Sequence, residues 1–360
     1  MDAAASEALA SLLRPLLRCL ETLAFIARNL NPPDFEAVMH AAGTPDDALR
    51  AARAQMEFWP DTLAEIRGPL VAASEAALAA FEGLHAAPDQ DNGLLAVFRA
   101  LRHVARGLEA LYPLAGELPQ ISAFFLDPAR REDAELLGAL ADPRPGTGVS
   151  HHDNEPGSRG GFSLYVPEYA TDRALPLLMA LHGGSGNGRA FLWSWLRDAR
   201  SHGAILVAPT AKGQTWALSG PDVDTPNLMR VLDFVRSRQN VDPTRLLLTG
   251  MSDGGTFCYV SALTSASPFT HLAPVAAAFH PMFAEMADRD RMQDLPIHLV
   301  HGALDWMFPV KMARRAQWAL SAAGARVTYR EIADLSHTYP REVNAELLTW
   351  MGESAAGRMR

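Results

Sequence analysis

The 360-residue chain has only two cysteines, Cys19 and Cys258. They lie far apart in sequence, which argues against a disulfide framework and fits a reducing compartment. Each thiol reads as a small buried apolar group. Positive charge is also scarce: 32 Lys and Arg face 41 Asp and Glu, giving a formal net charge of −9 with no long basic run. Phosphate binding needs clustered cations, so nucleic acid is not an expected partner. No membrane span is expected either, because the first apolar stretch is broken by Arg14, Arg18 and Glu21. Residues 1–7 lack the basic region that opens a secretory signal, and a cytoplasmic location is expected. What remains is 48% hydrophobic and 20% charged. That is ordinary for a globular protein, and the length suits two domains or one large one.

Residues 1–141 read as an all-α domain, an antiparallel bundle. From about 5 to 30, Leu13, Leu16, Leu17, Leu20, Leu23, Ala24 and Ala27 recur at helical spacing, with Arg14, Arg18, Glu21 and Arg28 opposite. Thr44-Pro45-Asp46-Asp47 is a helix start. Further helices are expected to about 58, to about 84, from 94 to 111, and from 132 to 141. His40, His85 and His103 are isolated and fit no metal-ligand spacing. Three roles fit the domain: a dimerisation module giving a homodimer, a cap over a C-terminal active site, or a scaffold-binding domain. The apolar run at 121–126 is read as domain packing or the mouth of a pocket.

Residues 142–160, rich in Pro, Gly, His, Asp and Ser, read as an exposed linker. Adjacent His151 and His152 would point in different directions, without a supporting acid or thiol cluster, so metal binding is not expected. From 161 to 360 the pattern changes to α/β. Strands are expected at 161–166, 177–181, 204–208, 245–249, 275–279, 297–300 and 327–332, with helices between them. That alternation implies a mostly parallel sheet covered on both faces, with sites in the loops beyond the carboxyl ends of the strands.

Four such loops carry chemistry. In Gly250-Met251-Ser252-Asp253-Gly254-Gly255, the strand-turn-helix pattern exposes the Ser252 hydroxyl at a sharp turn where flanking glycines allow close backbone approach. Ser252 is the candidate nucleophile. His182-Gly183-Gly184-Ser185-Gly186 is a turn whose small residues let backbone N–H groups face a pocket. The expected oxyanion donors are the N–H groups of Gly184 and Asp253, with Ser185 as a substitute for the first. No Gly-Lys-Ser/Thr ending makes this turn a phosphate loop. His301-Gly302-Ala303-Leu304-Asp305 offers Asp305 as the acid that orients an imidazole, with Asp334 as rival. Asp334-Leu335-Ser336-His337 offers His337 as general base, with His280, His298 and His301 as competitors. Trp216, Trp306 and His280 are candidate substrate contacts.

The order Ser252, Asp305, His337, each after a successive strand region, together with the His182-Gly183-Gly184 turn and Val241-Asp242-Pro243-x-Arg245, resembles the α/β-hydrolase superfamily. The resemblance is to the phospholipase/carboxylesterase group and its feruloyl-esterase and polyhydroxybutyrate-depolymerase-like neighbours, over roughly residues 160–352. It implies a serine carboxylesterase acting on a small-molecule ester through an acyl-enzyme, without metal or organic cofactor. Ser-Asp-Gly-Gly also resembles the elbow of prolyl-oligopeptidase-like peptidases, although no propeller repeat is seen. A third reading is a non-enzymatic interaction protein built on a hydrolase scaffold.

Overall fold

A computed structural model describes residues 3–169 and 173–358, with side chains to residue 353. Met1 and Asp2, included in the N-terminal reading, lie outside the described residues. The chain divides into two compact units, Met1–Leu137 and Gly138–Arg360.

The first unit is helical. Its long helices are Ala3–Asn29, Pro45–Gln55, Ala64–Ala86 and Gly93–Leu111. Leu9, Leu12, Leu13, Leu16, Leu20, Leu23 and Ile26 of the first helix are buried, the stripe expected from the 3.6-residue period. At the start of the fourth, the Asn92 side chain accepts the Leu95 N–H and caps an otherwise unpaired donor. The apolar run at 121–126 falls on the helix Pro119–Phe124 and the turn after it. There the ring of Phe125 lies edge-on to Tyr112 and Phe124, all within this unit.

The second unit is built on an eight-stranded sheet. Its strands are β1 (Gly148–His152), β2 (Phe162–Val166), β3 (Leu175–Leu181), β4 (Ile205–Pro209), β5 (Val241–Met251), β6 (His271–Val275), β7 (Pro296–Gly302) and β8 (Arg326–Ile332). The order across the sheet is β1-β2-β4-β3-β5-β6-β7-β8. The pairs β1–β2 and β2–β4 are antiparallel, and every later neighbour is parallel. β3 and the Leu246–Leu248 stretch of β5 are continuous apolar segments because both sheet faces are covered there. On one face Leu177, Met179, Leu246 and Leu248 pack with Leu228, Val231, Leu232 and Val235 of the helix Asp224–Arg236.

Two expectations are corrected. The segment read as a linker contains β1. Its residues are polar because an edge strand needs little apolar surface: it is half-exposed, with the His151 ring on the Ser163 hydroxyl and the His152 ring stacked on Phe162. The strand expected at 275–279 is instead His271–Val275. Pro274 argues against a central strand, yet it pairs in register with Gly250. The apolar residues 276–279 form the loop beyond it.

One buried ion pair fastens the region after β2. Arg200 Nε, on a side chain only 1% exposed, lies 2.9 Å from Glu168 Oε1, and Tyr165 donates its hydroxyl to Glu168 Oε2 at 2.6 Å. Removing one partner strands the other charge in a poorly solvating interior. Glu168→Ala is therefore expected to lower the unfolding free energy by about 3–5 kcal/mol in urea denaturation, with Glu168→Gln losing less.

Candidate active site

Because β3, β5, β6, β7 and β8 are parallel, the loops that leave their carboxyl ends all emerge at one edge of the sheet. The centre of that edge is the turn from β5 into the helix Asp253–Ala262. Ser252 occupies it with φ 55° and ψ −118°, a conformation unusual for a residue with a side chain. Close packing holds it there. A Cβ on Gly250 would lie 2.5 Å from the Gly254 carbonyl carbon, and one on Gly254 would lie 2.5 Å from the Leu181 oxygen. Only glycine allows the turn to press against itself and against β3. The Ser252 N–H donates to Val275 O at 2.9 Å, tying the turn to the end of β6. Thr256 adds a second tie: its hydroxyl donates to Ser252 O at 3.1 Å and accepts the Ala278 N–H at 3.0 Å.

Beside this turn the structure brings together the other two expected side chains. His337 Nε2 lies 3.0 Å from Ser252 Oγ, and His337 Nδ1 lies 2.8 Å from Asp305 Oδ2. All three residues are buried. Asp305 Oδ1 also accepts the N–H groups of Met307 (2.9 Å) and Phe308 (2.7 Å), so its carboxylate is oriented from both oxygens. The rival Asp334 is exposed, and the imidazole is paired with Asp305. The acid and histidine loops are laced to each other by Ala303 N–H to Ile332 O and Leu304 N–H to Leu335 O, both 2.9 Å. They cross at Gly302, where a Cβ would come within 2.2 Å of Leu335 O. This arrangement suits proton transfer from a hydroxyl to an imidazole whose other nitrogen faces a carboxylate.

The turn after β3 sits against the serine: a Cβ on Gly183 would be 3.6 Å from Ser252 Cβ, and one on Gly184 would be 2.7 Å from Asp253 Oδ2. Among the described residues the Gly184 N–H meets no acceptor. The Asp253 N–H opens its helix, where no preceding turn can accept it. Ser185 is corrected as a donor, because its N–H is already given to Gln214 O at 3.2 Å. Trp216 is corrected as a pocket wall. It is 2% exposed, stacks on Phe257, and donates its indole N–H to His182 O at 2.7 Å, so it braces the glycine turn from below. His280 is exposed, and its ring nitrogen accepts the Met282 N–H at the start of a short helix. Trp306 is 42% exposed, with its ring centroid 6.3 Å from that of His337.

Several residues have roles that the sequence did not reveal. The Thr215 hydroxyl donates to Asp253 Oδ2 at 2.5 Å, joining the loop after β4 to the turn that follows Ser252. The Phe308 ring stands edge-on to His337, centroids 5.2 Å apart. His182 donates through Nδ1 to Gly183 O at 2.7 Å and accepts the Ala211 N–H at Nε2, 3.1 Å. Its signal was in plain sight, at the head of the glycine turn, but its role depends on a partner 29 residues away. Burial pushes its pKa down from 6.5 to about 4, against the raising effect of the Gly183 carbonyl. The competitor His298 is buried within β7.

Residues 226–351 match the phospholipase/carboxylesterase family model. The chain is similar to a bifunctional acetylxylan esterase/xylanase of Neocallimastix patriciarum, 27% identical over 208 residues, covering 56% of this chain and 30% of that protein. It is also similar to acetylxylan esterase A of Emericella nidulans, 26% identical over 136 residues, covering 34% of this chain and 44% of that protein. The chain thus spans less than half the length of the curated relatives it matches. Among solved structures, a thermostable esterase aligns with TM-score 0.46 and 21% identity, over 60% of this chain and 63% of that one. No helix among the described residues is long and apolar enough to cross a membrane.

His182 makes stability depend on pH. Its folded pKa lies below its unfolded one, so between about pH 6.5 and 4 the unfolded chain binds the extra proton. Stability is expected to fall as pH drops through that window. In His182→Gln the loss between pH 7 and 4.5, followed by urea denaturation, should be smaller by roughly 2–3 kcal/mol.

Proposed function

We propose that this chain, an α/β hydrolase related to the phospholipase/carboxylesterase family, is a serine carboxylesterase. The observation that carries the reading is the unbroken relay Ser252 Oγ–His337 Nε2–Nδ1–Asp305 Oδ2, at 3.0 and 2.8 Å. Ser252 Oγ attacks the ester carbonyl carbon while His337 Nε2 takes its proton. The oxyanion forms against the N–H groups of Gly184 and Asp253, whose positions are set before the charge develops. The C–O bond to the alcohol breaks and His337 returns the proton to the leaving oxygen. Water, deprotonated by His337, then releases the acid from the acyl-enzyme and restores Ser252. Asp305 holds the imidazole in its working tautomer and stabilises its protonated form.

The similarity to two acetylxylan esterases supports short acyl groups. Trp306, exposed beside His337, supports an apolar or ring-bearing face on the substrate. Both cysteines are free and buried, which supports a reducing, cytoplasmic setting. A homodimer formed through the helical unit belongs to the same proposal.

The test is hydrolysis of p-nitrophenyl esters from acetate to long acyl chains. Wild type should favour the short esters. Ser252→Ala should lose about 10⁴-fold or more in kcat, and Asp305→Asn about 10³–10⁴-fold with the fold intact by circular dichroism. Retained activity in folded Ser252→Ala would overturn the reading. Light scattering that finds only the 39.0 kDa chain would remove the dimer.

A further inference from the structure

His301, the last residue but one of β7, is 1% exposed and takes no proton in the mechanism above. Its Nε2 lies 2.7 Å from the Phe308 carbonyl oxygen. A carbonyl only accepts, so Nε2 carries a hydrogen and donates. The same nitrogen lies 3.3 Å from Asp305 Oδ2, the oxygen that faces His337. Phe308 is thereby engaged three ways: its carbonyl by His301, its N–H by Asp305 Oδ1, and its ring by His337.

We propose that His301 is a positioning residue for the proposed serine relay: its Nε2–H closes the 301–308 loop around Asp305 and, from 3.3 Å, tempers the negative charge that Asp305 presents to His337. This rests on the esterase reading of the same site. One donation restrains the Phe308 residue, whose N–H Asp305 accepts and whose ring stands against the imidazole. The partial positive charge of the same N–H opposes the field of Oδ2 in a buried site, where such dipoles are weakly screened.

The other groups facing His301 fit this role. Glu331 pairs with it in register across β7–β8 and is occupied by Arg314 and Tyr329, while Asp305 and His337 face it from the acid and histidine loops. Burial is the largest influence on His301 and lowers its pKa, against the raising effects of Phe308, Asp305 and Glu331. Kept neutral, it does not compete with His337 for the full charge of the carboxylate.

Without the N–H dipole, Oδ2 holds the proton on His337 more firmly. The base is then lost at a higher pH. In His301→Leu the acidic limb of kcat/KM against pH, read with p-nitrophenyl acetate, should move up by roughly half a unit. The plateau should fall about tenfold as the loop loosens. His301→Gln, which keeps an N–H donor, should return the limb toward wild type. A folded His301→Leu whose limb stays at the wild-type pH, whatever its plateau, would overturn the proposal.

If His301→Leu does not fold, the wild-type protein labelled with ¹⁵N decides. The Nε2–H resonance of His301 should be present and should shift as His337 titrates. A His301 without a proton on Nε2, or one whose resonance ignores that titration, would overturn the proposal. The NMR readout does not depend on turnover, so it separates this inference from the esterase reading, which stands or falls on Ser252→Ala.

Discussion

The second unit depends on one strained residue. Ser252 sits at φ 55° between a strand and a helix, and several independent contacts hold it there. Glycines at 250 and 254 remove the Cβ atoms that would push the turn apart, the Ser252 N–H is fixed to β6, and Thr256 ties its carbonyl to the loop beyond β6. The same close approach that demands glycine brings the turn after β3 alongside the serine. Conformational strain at Ser252 and the open N–H of Gly184 are therefore two consequences of one packing arrangement.

The remaining loops are positioned by lacing rather than strain. The acid and histidine loops cross at Gly302 and exchange backbone hydrogen bonds, so the 32 residues separating Asp305 from His337 in sequence are closed to 2.8 Å in space. Asp305 is then oriented by two N–H donors on one oxygen. On the other side of the serine, Trp216 braces the glycine turn and Thr215 restrains the Asp253 carboxylate. A network of this kind is stiff because each member has more than one partner. It leaves His337 Nε2 aimed at the Ser252 hydroxyl.

Local patterns were the most legible part of the sequence. Gly250-x-Ser252-x-Gly254 states its own geometry, because the steric demand for glycine and the strand-to-helix switch both lie within six residues. The parallel sheet followed from the alternation of apolar runs with helical periods, and strand order alone put Ser252, Asp305 and His337 at one edge. What stayed hidden required knowing a partner. The half-exposed edge strand β1 has too few apolar residues to alternate visibly. Pro274 masks a central strand whose pairing tolerates it. Ser185 looks like a donor until Gln214 is found opposite its N–H, and Trp216 looks like a pocket wall until the Phe257 ring is found beneath it.

The most direct test is where a fluorophosphonate probe attaches. Such probes react with a serine whose hydroxyl is activated by a neighbouring base and whose oxyanion has donors waiting. Mass spectrometry of the digested protein should find a single adduct, on the peptide carrying Ser252, and none after the protein is unfolded before labelling. A folded protein left unlabelled, or labelled at another serine, would contradict the account.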